Sequence, residues 1–273
     1  TQSRISTGYK VNDAADNAAY WSIATTMRSD NKALGTVQDA LGLGSAKVDV
    51  AYTGMNAAIK VVDEIKTKLV AAREPGVDRS KVQEEITQLQ NQLVSITTAA
   101  AFSGENWLSV DSGDAAYSAT KSIVASFNRS SAGTVSVSTV DIDISSTELF
   151  DAADQSGILD TTFTTTGAGA ATVSVSDLDI TAAGIDNTDI DDMISNVDGA
   201  LASMSTAAAT LGAAKSRVSI QKDFVGELMN AIDRGISTLV DADMTAESTR
   251  LQALQTQQQL GIQALSIANS GAQ

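Results

Sequence analysis

Carboxylates are the side chains of this sequence whose type and clustering are compatible with a functional site, in the first place a metal site. Asp186, Asp189 and Asp191 lie close together just before a predicted helix. A hard divalent cation such as calcium takes several oxygen ligands, so these three residues are candidate metal ligands. Asp is also favoured at helix N-caps and in first helical turns. Because no segment matches the EF-hand loop, the structural interpretation of this cluster is the stronger one.

Other groups that support catalysis are scarce. The 273 residues contain no His and no Cys. The sequence therefore lacks the usual neutral-pH general base, thiol nucleophiles, and the ligand sets of structural zinc and iron–sulfur sites. Lys215 and Lys222 interrupt an apolar helical seam, where lysines more often set register or snorkel to solvent than act in catalysis. We predict a protein that is not an enzyme, with no cofactor beyond a divalent cation.

Charge excludes two classes of partner. The formal net charge is −15. Nucleic acids and anionic membranes both select basic surfaces, so neither is a predicted partner. Most of the excess acid lies between Asp111 and Asp191, where 12 Asp and 1 Glu face only Lys121 and Arg129, a balance of −11.

Long amphipathic helices are predicted on both sides of this acidic segment. Apolar residues recur at alternating steps of three and four, and in the last third they keep one heptad frame. Sustained heptads favour coiled-coil packing between the two arms. The predicted packing seam comprises Ile59, Val62, Leu69, Ile86, Leu89, Leu93, Leu201, Leu211, Val218 and Ile232.

Helix boundaries follow from local signals. The first helix is expected from about Asp13 to Ala72, because Pro75–Gly76 ends it. Ser80 with Gln83 has the pattern of a capping box that starts a second helix. A further helix, rich in Gln, is expected from Met244 to about Ala268, with a thinner apolar stripe at Leu251, Leu254, Gly261 and Leu265.

The middle segment has the pattern of strands. Ile123, Ala125 and Phe127 alternate with polar residues, as in a half-buried strand. The stretch Thr134–Ile144 recurs in altered form as Thr172–Ile180, and each copy predicts one or two strands with an inward Val/Ile face. Chance similarity in Thr/Val/Ser-rich sequence is the alternative explanation of the repeat.

Both arms resemble the bacterial flagellins. Residues 5–19, Trp21–Ala24 and Arg28 resemble the amino-terminal signature of that family, and Leu211–Ala213 with residues 241–247 resembles its carboxy-terminal signature, in the variants typical of alpha-proteobacteria. The signature positions are Gly8, Asn12, Asp16, Ala24, Arg28, Arg217, Asp241, Asp243 and Glu247.

The resemblance implies a fold and a domain division. The fold class is α+β: a long antiparallel helical rod or coiled-coil domain built from both chain ends, with an inserted β-rich outer domain. Residues 1–110 are expected to form the amino-terminal arm and 111–190 a variable surface domain. Residues 191–273 are expected to complete the rod and include part of the terminal helix.

The resemblance also implies partners and a place in the cell. The expected role is a self-assembling structural subunit of the extracellular flagellar filament, which serves swimming motility. Expected partners are other flagellin subunits, an export chaperone and cap proteins. The family's extreme termini drive polymerisation, and this sequence resembles a flagellin truncated at both termini, so the fragment itself is expected to be monomeric.

Two alternatives remain open at this point. The chain could be a cell-surface adhesin or polysaccharide-binding flagellin homologue that acts through the β-domain, or a hook–filament junction protein that shares the helical signatures. A binding assay with and without residues 111–190 would test the first alternative.

Overall fold

The computed structural model describes residues 1–271 and has helical arms around a strand-containing insert. This confirms the predicted fold class. Positions 272 and 273 of the predicted segment 191–273 lie outside the described residues. The helices are α1 (Gln2–Thr7), α2 (Ala18–Ala72), α3 (Arg79–Ala99), α4 (Asn187–Val240) and α5 (Met244–Gly271). The strands are β1 (Ala101–Phe102), β2 (Glu105–Asn106), β3 (Ser109–Val110), β4 (Thr120–Arg129), β5 (Val135–Asp143), β6 (Phe150–Asp151), β7 (Phe163–Thr164) and β8 (Thr172–Val173).

The chain divides into two compact units. The terminal unit combines Thr1–Val37 with Phe224–Gln273, and the central unit is Gln38–Asp223. Each of the long helices α2 and α4 contributes residues to both units. The predicted domain division follows sequence order instead, with segments 1–110, 111–190 and 191–273. It stays a prediction.

In the central unit, α2 and α4 run antiparallel. Lys66 pairs with Asp198 at 2.6 Å, and Arg73 pairs with Asp191 at 2.6 Å. The residue number on α4 falls as the number on α2 rises, which is the signature of antiparallel neighbours. These exposed ion pairs contribute little individually. Burial of the apolar stripes between the helices is the larger stabilising term.

Most of the predicted seam is inaccessible to solvent. Ile59, Leu89, Leu201 and Ile232 are half-buried. The other seam positions are fully buried: Val62, Leu69, Ile86, Leu93, Leu211 and Val218. This burial is consistent with the predicted stripe, and the packing seam itself stays a prediction.

Two predicted helix starts are wrong. The long first helix begins at Ala18 rather than near Asp13, because the Asn17 side chain caps it by accepting from the Tyr20 amide at 3.1 Å. The second begins at Arg79, and its N-cap is Asp78, whose carboxylate accepts from the Ser80 amide at 3.1 Å. The predicted capping box at Ser80 therefore does not form.

Gln83 has a different role from the predicted cap. Its side chain reaches the insert, where it donates to the Leu178 carbonyl at 2.9 Å and accepts from the Ile180 amide at 2.9 Å. Gln83 thus satisfies two backbone groups of the insert from the surface of α3, and it ties the insert to the helical arm.

The insert is the segment between α3 and α4, residues 100–186, and it contains four two-stranded sheets within the described residues. Strands β1, β2 and β3 fall inside the predicted arm 1–110 rather than inside 111–190. The predicted strand around Ile123 is β4, which pairs antiparallel with β5 and has a register shift between Val124 and Ser126. The first repeat copy forms the predicted strand, β5. Its inward Val/Ile face is only partly right: Val140, Ile142 and Ile144 are buried, but Val135 and Val137 have the opposite parity along the strand and are exposed. The second copy is only the two-residue strand β8, followed by a 3₁₀ turn at Val175–Asp177.

The second copy departs from strand geometry because of one substitution. Asp177 stands where the first copy has Thr139. Its carboxylate accepts from both the amide and the hydroxyl of Ser174, which closes a capping box and turns the chain. In the first copy, Thr139 has no such carboxylate, and the chain stays extended.

Candidate functional site

The two ends of the chain meet in the terminal unit, in a cluster that we call the terminal knot. It comprises α1, residues 8–17, the first turns of α2, the last turns of α4, and residues 241–247. The Lys10 and Val11 amides both donate to the Val240 carbonyl, at 2.7 and 3.3 Å. The Ala242 amide donates to the Gly8 carbonyl at 2.8 Å. Backbone hydrogen bonds therefore join residues from opposite ends of the sequence.

Two signature residues shape the turn that follows α1. Gly8 ends that helix with φ +78° and donates its amide to the Arg4 carbonyl at 2.8 Å, a left-handed conformation that favours glycine. Asp16 accepts from the Asn12 amide at 2.9 Å and from the Asp13 amide at 3.3 Å. These backbone hydrogen bonds, led by that of Asn12, hold the pKa of Asp16 below its usual value.

Other signature residues pack the knot together. Ala24 is buried in a cluster with Val11, Ile236 and Val240. Arg28 lies over the ring of Tyr9, with its guanidinium carbon 5.4 Å from the ring centroid. Tyr9 also forms an antiparallel bridge with Asp241.

The knot holds the first turn of α5. The Asp243 carboxylate accepts from the Thr245 amide at 3.0 Å and from the Ala246 amide at 3.1 Å, which is N-capping geometry. Glu247, which is buried, accepts from Arg4 at 3.3 Å. Of the nine predicted signature positions only Arg217 lies outside the terminal unit, since it belongs to the central unit and donates to the Asp141 carbonyl at 3.4 Å.

Beyond its first turns, α5 is exposed. Every residue from 252 to 271 is exposed, including Leu265 at 72% and Ile267 at 71%. Leu254 and Leu265 belong to the predicted apolar stripe of α5. Leu260 and Ile267 form a second apolar set outside that stripe, which their seven-residue spacing could have revealed. At about 3.6 residues per turn, the two sets lie on roughly opposite sides of the helix.

The candidate metal ligands have other roles. Asp186 and Asp189 each accept from the other's amide at 3.0 Å. Asp189 also accepts from Gly169 and Thr165, and Asp191 pairs with Arg73. Within residues 1–271 no three acidic residues form a group that could hold a metal ion. These carboxylates are engaged in capping, loop anchoring and an ion pair.

No helix among residues 1–271 combines the length and the apolarity that crossing a membrane requires.

Two family models match the chain. The model of the bacterial flagellin N-terminal helical region matches residues 1–112, and that of the C-terminal helical region matches residues 194–273. The matched ranges contain the whole terminal knot and α5. They leave most of the insert between them.

Individual proteins match over almost the whole chain. Flagellin C of Rhizobium meliloti (strain 1021) is 52% identical, and the match covers 99% of this chain and 88% of that protein. Flagellin A of the same strain is 45% identical, over 100% of this chain and 92% of that protein. A flagellin of Brucella melitensis is 44% identical, over 100% and 88%.

A solved structure of Bacillus cereus flagellin aligns with 80% of this chain and 94% of its own, at 14% identity and a TM-score of 0.35. A TM-score this low gives that structure no weight beside the sequence relatives.

Proposed function

The chain belongs to the bacterial flagellin family, in its alpha-proteobacterial type, and from that premise we propose that it assembles by burying α5 between neighbouring copies of itself. It is a structural subunit of the flagellar filament, as its relatives are. The relatives' filament is extracellular, and its subunits assemble with one another.

The exposure of α5 carries the proposal. Leu260, Ile262, Leu265 and Ile267 are each at least 59% exposed on one helix. Burying apolar surface contributes roughly 25 cal/mol per Å², so leaving such a helix in water forgoes several kcal/mol. Because its apolar residues lie on roughly opposite sides, one neighbouring helix cannot cover them all. This distribution of apolar residues fits a helix that packs between two neighbouring subunits.

The knot supports α5 as an assembly element. The Asp243 cap and the Arg4–Glu247 pair hold the start of the helix against residues from the other chain end. An interface element works best when its base is held by a rigid scaffold. We therefore assign the signature residues of the knot to orienting α5 rather than to contacting a ligand.

The remaining parts of the proposal concern the insert and other partners. We assign residues 111–190 to an acidic surface domain, with surface polysaccharide as its ligand. We assign an export chaperone and cap proteins as transient partners, and we assign no catalytic role to any residue. The filament subunit is favoured over the adhesin and the junction protein because the relatives that match the whole chain are flagellins.

The decisive experiment replaces Leu265, the most exposed of these residues, with Asp in the gene of the producing bacterium. We expect the Leu265→Asp protein to be exported and folded but not to form filaments, because one face of α5 then carries an unpaired charge. Electron microscopy of the cells and swimming in soft agar provide the measurement. The matched control is Val137→Asp, which changes an equally apolar residue of β5 that is 58% exposed.

The two variants separate the possible outcomes. Filaments in Val137→Asp cells and none in Leu265→Asp cells support α5 as the assembly surface. Normal filaments from Leu265→Asp cells would disprove it. Circular dichroism of both purified proteins must show wild-type helix content, so that a folding defect is not mistaken for an assembly defect.

A further inference from the structure

Three carboxyl groups are buried close together in the insert. They belong to the segment Glu148–Asp160, which we call the strap and which includes β6. Glu148 is 6% exposed, Asp151 2% and Asp160 9%. Carboxylates are seldom this buried unless each is paired, so the partners of each oxygen decide what the cluster does.

Asp151 has the partners of an ionised carboxylate. It accepts from the Ser112 and Ala153 amides, each at 3.0 Å, and from the Ser156 hydroxyl at 3.2 Å. Burial alone would raise its pKa, but these hydrogen bonds outweigh burial and hold the pKa of Asp151 well below its usual value. Asp151 is therefore the permanent negative charge of the strap.

Of the two carboxylate oxygens of Asp160, only one accepts a hydrogen bond. Its Oδ2 accepts from the Asp151 amide at 2.8 Å, whereas its Oδ1 is buried with no hydrogen-bond partner. Gly157 packs directly on this oxygen, because a Cβ built there would lie 2.7 Å from Oδ1. A buried carboxylate oxygen without a donor makes the ionised form costly.

Among residues 1–271, no cation acts on the carboxylate of Asp160. The strap borders a cleft of about 330 Å³, and the other walls of this cleft are uncharged: Val94, Thr97 and Thr98 from α3, Ser109 from β3, and Ser176. The charged group that acts on Asp160 is Asp151, whose negative charge opposes ionisation. Burial is the largest effect and raises the pKa of Asp160; the backbone amides of Asp151, Asp160 and Gly157 oppose it, and the repulsion from Asp151 adds to it.

Glu148 is a second buried acid of the strap whose pKa is raised. Its Oε1 accepts from the Tyr117 hydroxyl at 2.5 Å. Burial raises the pKa of Glu148, and Asp151 and Asp143 raise it further, against the opposing effects of Tyr117 and Lys121. Asp160 differs in having an oxygen without any donor, and for this reason it is the focus of the inference.

We propose that Asp160 is a proton-binding site that makes the strap a pH-responsive element: the strap is closed when Asp160 is protonated and opens locally as Asp160 ionises. Opening brings Oδ1 into water, and it separates the Leu159 amide from the Leu149 carbonyl, to which that amide donates at 2.9 Å in the closed strap. It also exposes Leu149 and Leu159, which are both fully buried.

The direction of the pH effect follows from linkage. A carboxyl whose pKa is higher in the folded state binds its proton more tightly when folded. Its contribution to stability is full below the unfolded pKa and is lost as the pH rises through the folded pKa. The strap is therefore tighter below the folded pKa of Asp160 than above it, opposite to the usual effect of an ion-paired Asp.

Carbon-detected NMR of the whole chain with labelled Asp carboxyls tests the proton site directly, with Asp160→Asn used to assign the signal. We expect the Asp160 signal to titrate with a midpoint above the ordinary Asp value of 3.8. A midpoint at or below that value would overturn the proposal. Should Asp160→Asn fail to fold, the signal is assigned through its bonded neighbours, and the wild-type titration still decides.

Amide hydrogen exchange tests the opening. We expect the protection factor of the Leu159 amide in the wild-type chain to fall as the pH rises through the Asp160 midpoint found by NMR. In Asp160→Asn this slope should disappear, because the carboxamide side chain introduced there cannot ionise. Glu84→Gln, which removes an exposed carboxylate from α3, should keep the slope. A flat wild-type profile, or an unchanged slope in Asp160→Asn, would refute the opening.

Discussion

At the scale of single residues, two glycines of α2 differ in what surrounds them. A Cβ at Gly54 would lie 2.8 Å from both the Ala100 Cβ and the Leu108 Cδ1, whereas a Cβ at Gly42 would meet only the Lys222 Nζ, at 3.8 Å. The Ala100 Cβ is attached to the backbone and cannot swing away. Gly54 is therefore a close-approach position, and Gly42 is an ordinary helix-interior glycine.

This difference predicts opposite effects of the same substitution. Gly54→Ala should lower the free energy of unfolding by about 1–3 kcal/mol through overpacking. Gly42→Ala should raise it by about 0.5–1 kcal/mol, because Ala loses less backbone entropy on folding. Urea unfolding followed by circular dichroism measures both. Equal stabilisation by the two substitutions would contradict the close packing at Gly54.

Asp189 should make the stability of the fold depend on pH in the direction usual for an Asp, with less stability in acid. Hydrogen bonds from the Asp186 amide, the Thr165 hydroxyl and the Gly169 amide lower the pKa of Asp189 to about 2. A lowered carboxyl pKa contributes stability that is present above the ordinary pKa of 3.8 and lost as the pH falls through about 2. We expect Asp189→Asn to lower the urea midpoint at neutral pH and to have no effect near pH 2.

The control for this prediction is Asp39→Asn, which removes an exposed carboxylate of the same unit. It should leave the midpoint unchanged at both pH values. If Asp189→Asn costs as much stability near pH 2 as at neutral pH, the loss comes from packing rather than from the ionised carboxylate.

At the scale of elements, helix caps show where local sequence signals compete. Both Asp78 and Ser80 are cap-forming residues, and Gln83 lies three positions after Ser80. The pattern favoured Ser80, but Gln83 is engaged by the insert, which is more than ninety positions away in sequence. A tertiary contact of this kind cannot be inferred from a local motif.

The cap assignment predicts unequal effects of two alanine substitutions. Asp78→Ala should destabilise the protein by about 1 kcal/mol, since the Ser80 amide loses its acceptor. Ser80→Ala should change stability by less than about 0.5 kcal/mol, as is usual for an exposed position. Thermal unfolding of both variants measures the effects. The reverse order would restore the capping box that the sequence suggested.

The repeat gives a second lesson at this scale. Alternation of Val with Ser and Thr correctly predicted β5, where no side chain competes with the ladder. In the second copy, Asp177 closes a local hydrogen-bonded turn and thereby prevents the strand. Periodicity reports only partly which residues face inward: the Val, Leu and Ile positions of the second copy are buried, whereas Val135 and Val137 of the first copy are exposed. It does not report whether a local side-chain hydrogen bond competes with strand pairing.

At the scale of the whole molecule, long periodic patterns were the most informative part of the sequence. The heptad stripes located α2, α3 and α4 because an apolar stripe sustained over many turns must be covered by another element. The signature residues gathered largely in the terminal knot, but their spacing alone would not have placed Gly8 against Ala242. The buried strap acids had no sequence signal, since burial of a single Asp depends on the complete fold.

The knot also bears on the order in which the chain folds. Arg4 and Glu247 are 243 positions apart, and the backbone hydrogen bonds around Val240 close a loop of similar length. Closing so long a loop is entropically costly, and contacts of such high contact order form late. A chain that emerges gradually from a ribosome or a secretion channel cannot complete the knot until both ends are free. The base of α5 therefore becomes ordered only after the segments around Gly8 and Val240 have both been released and have met.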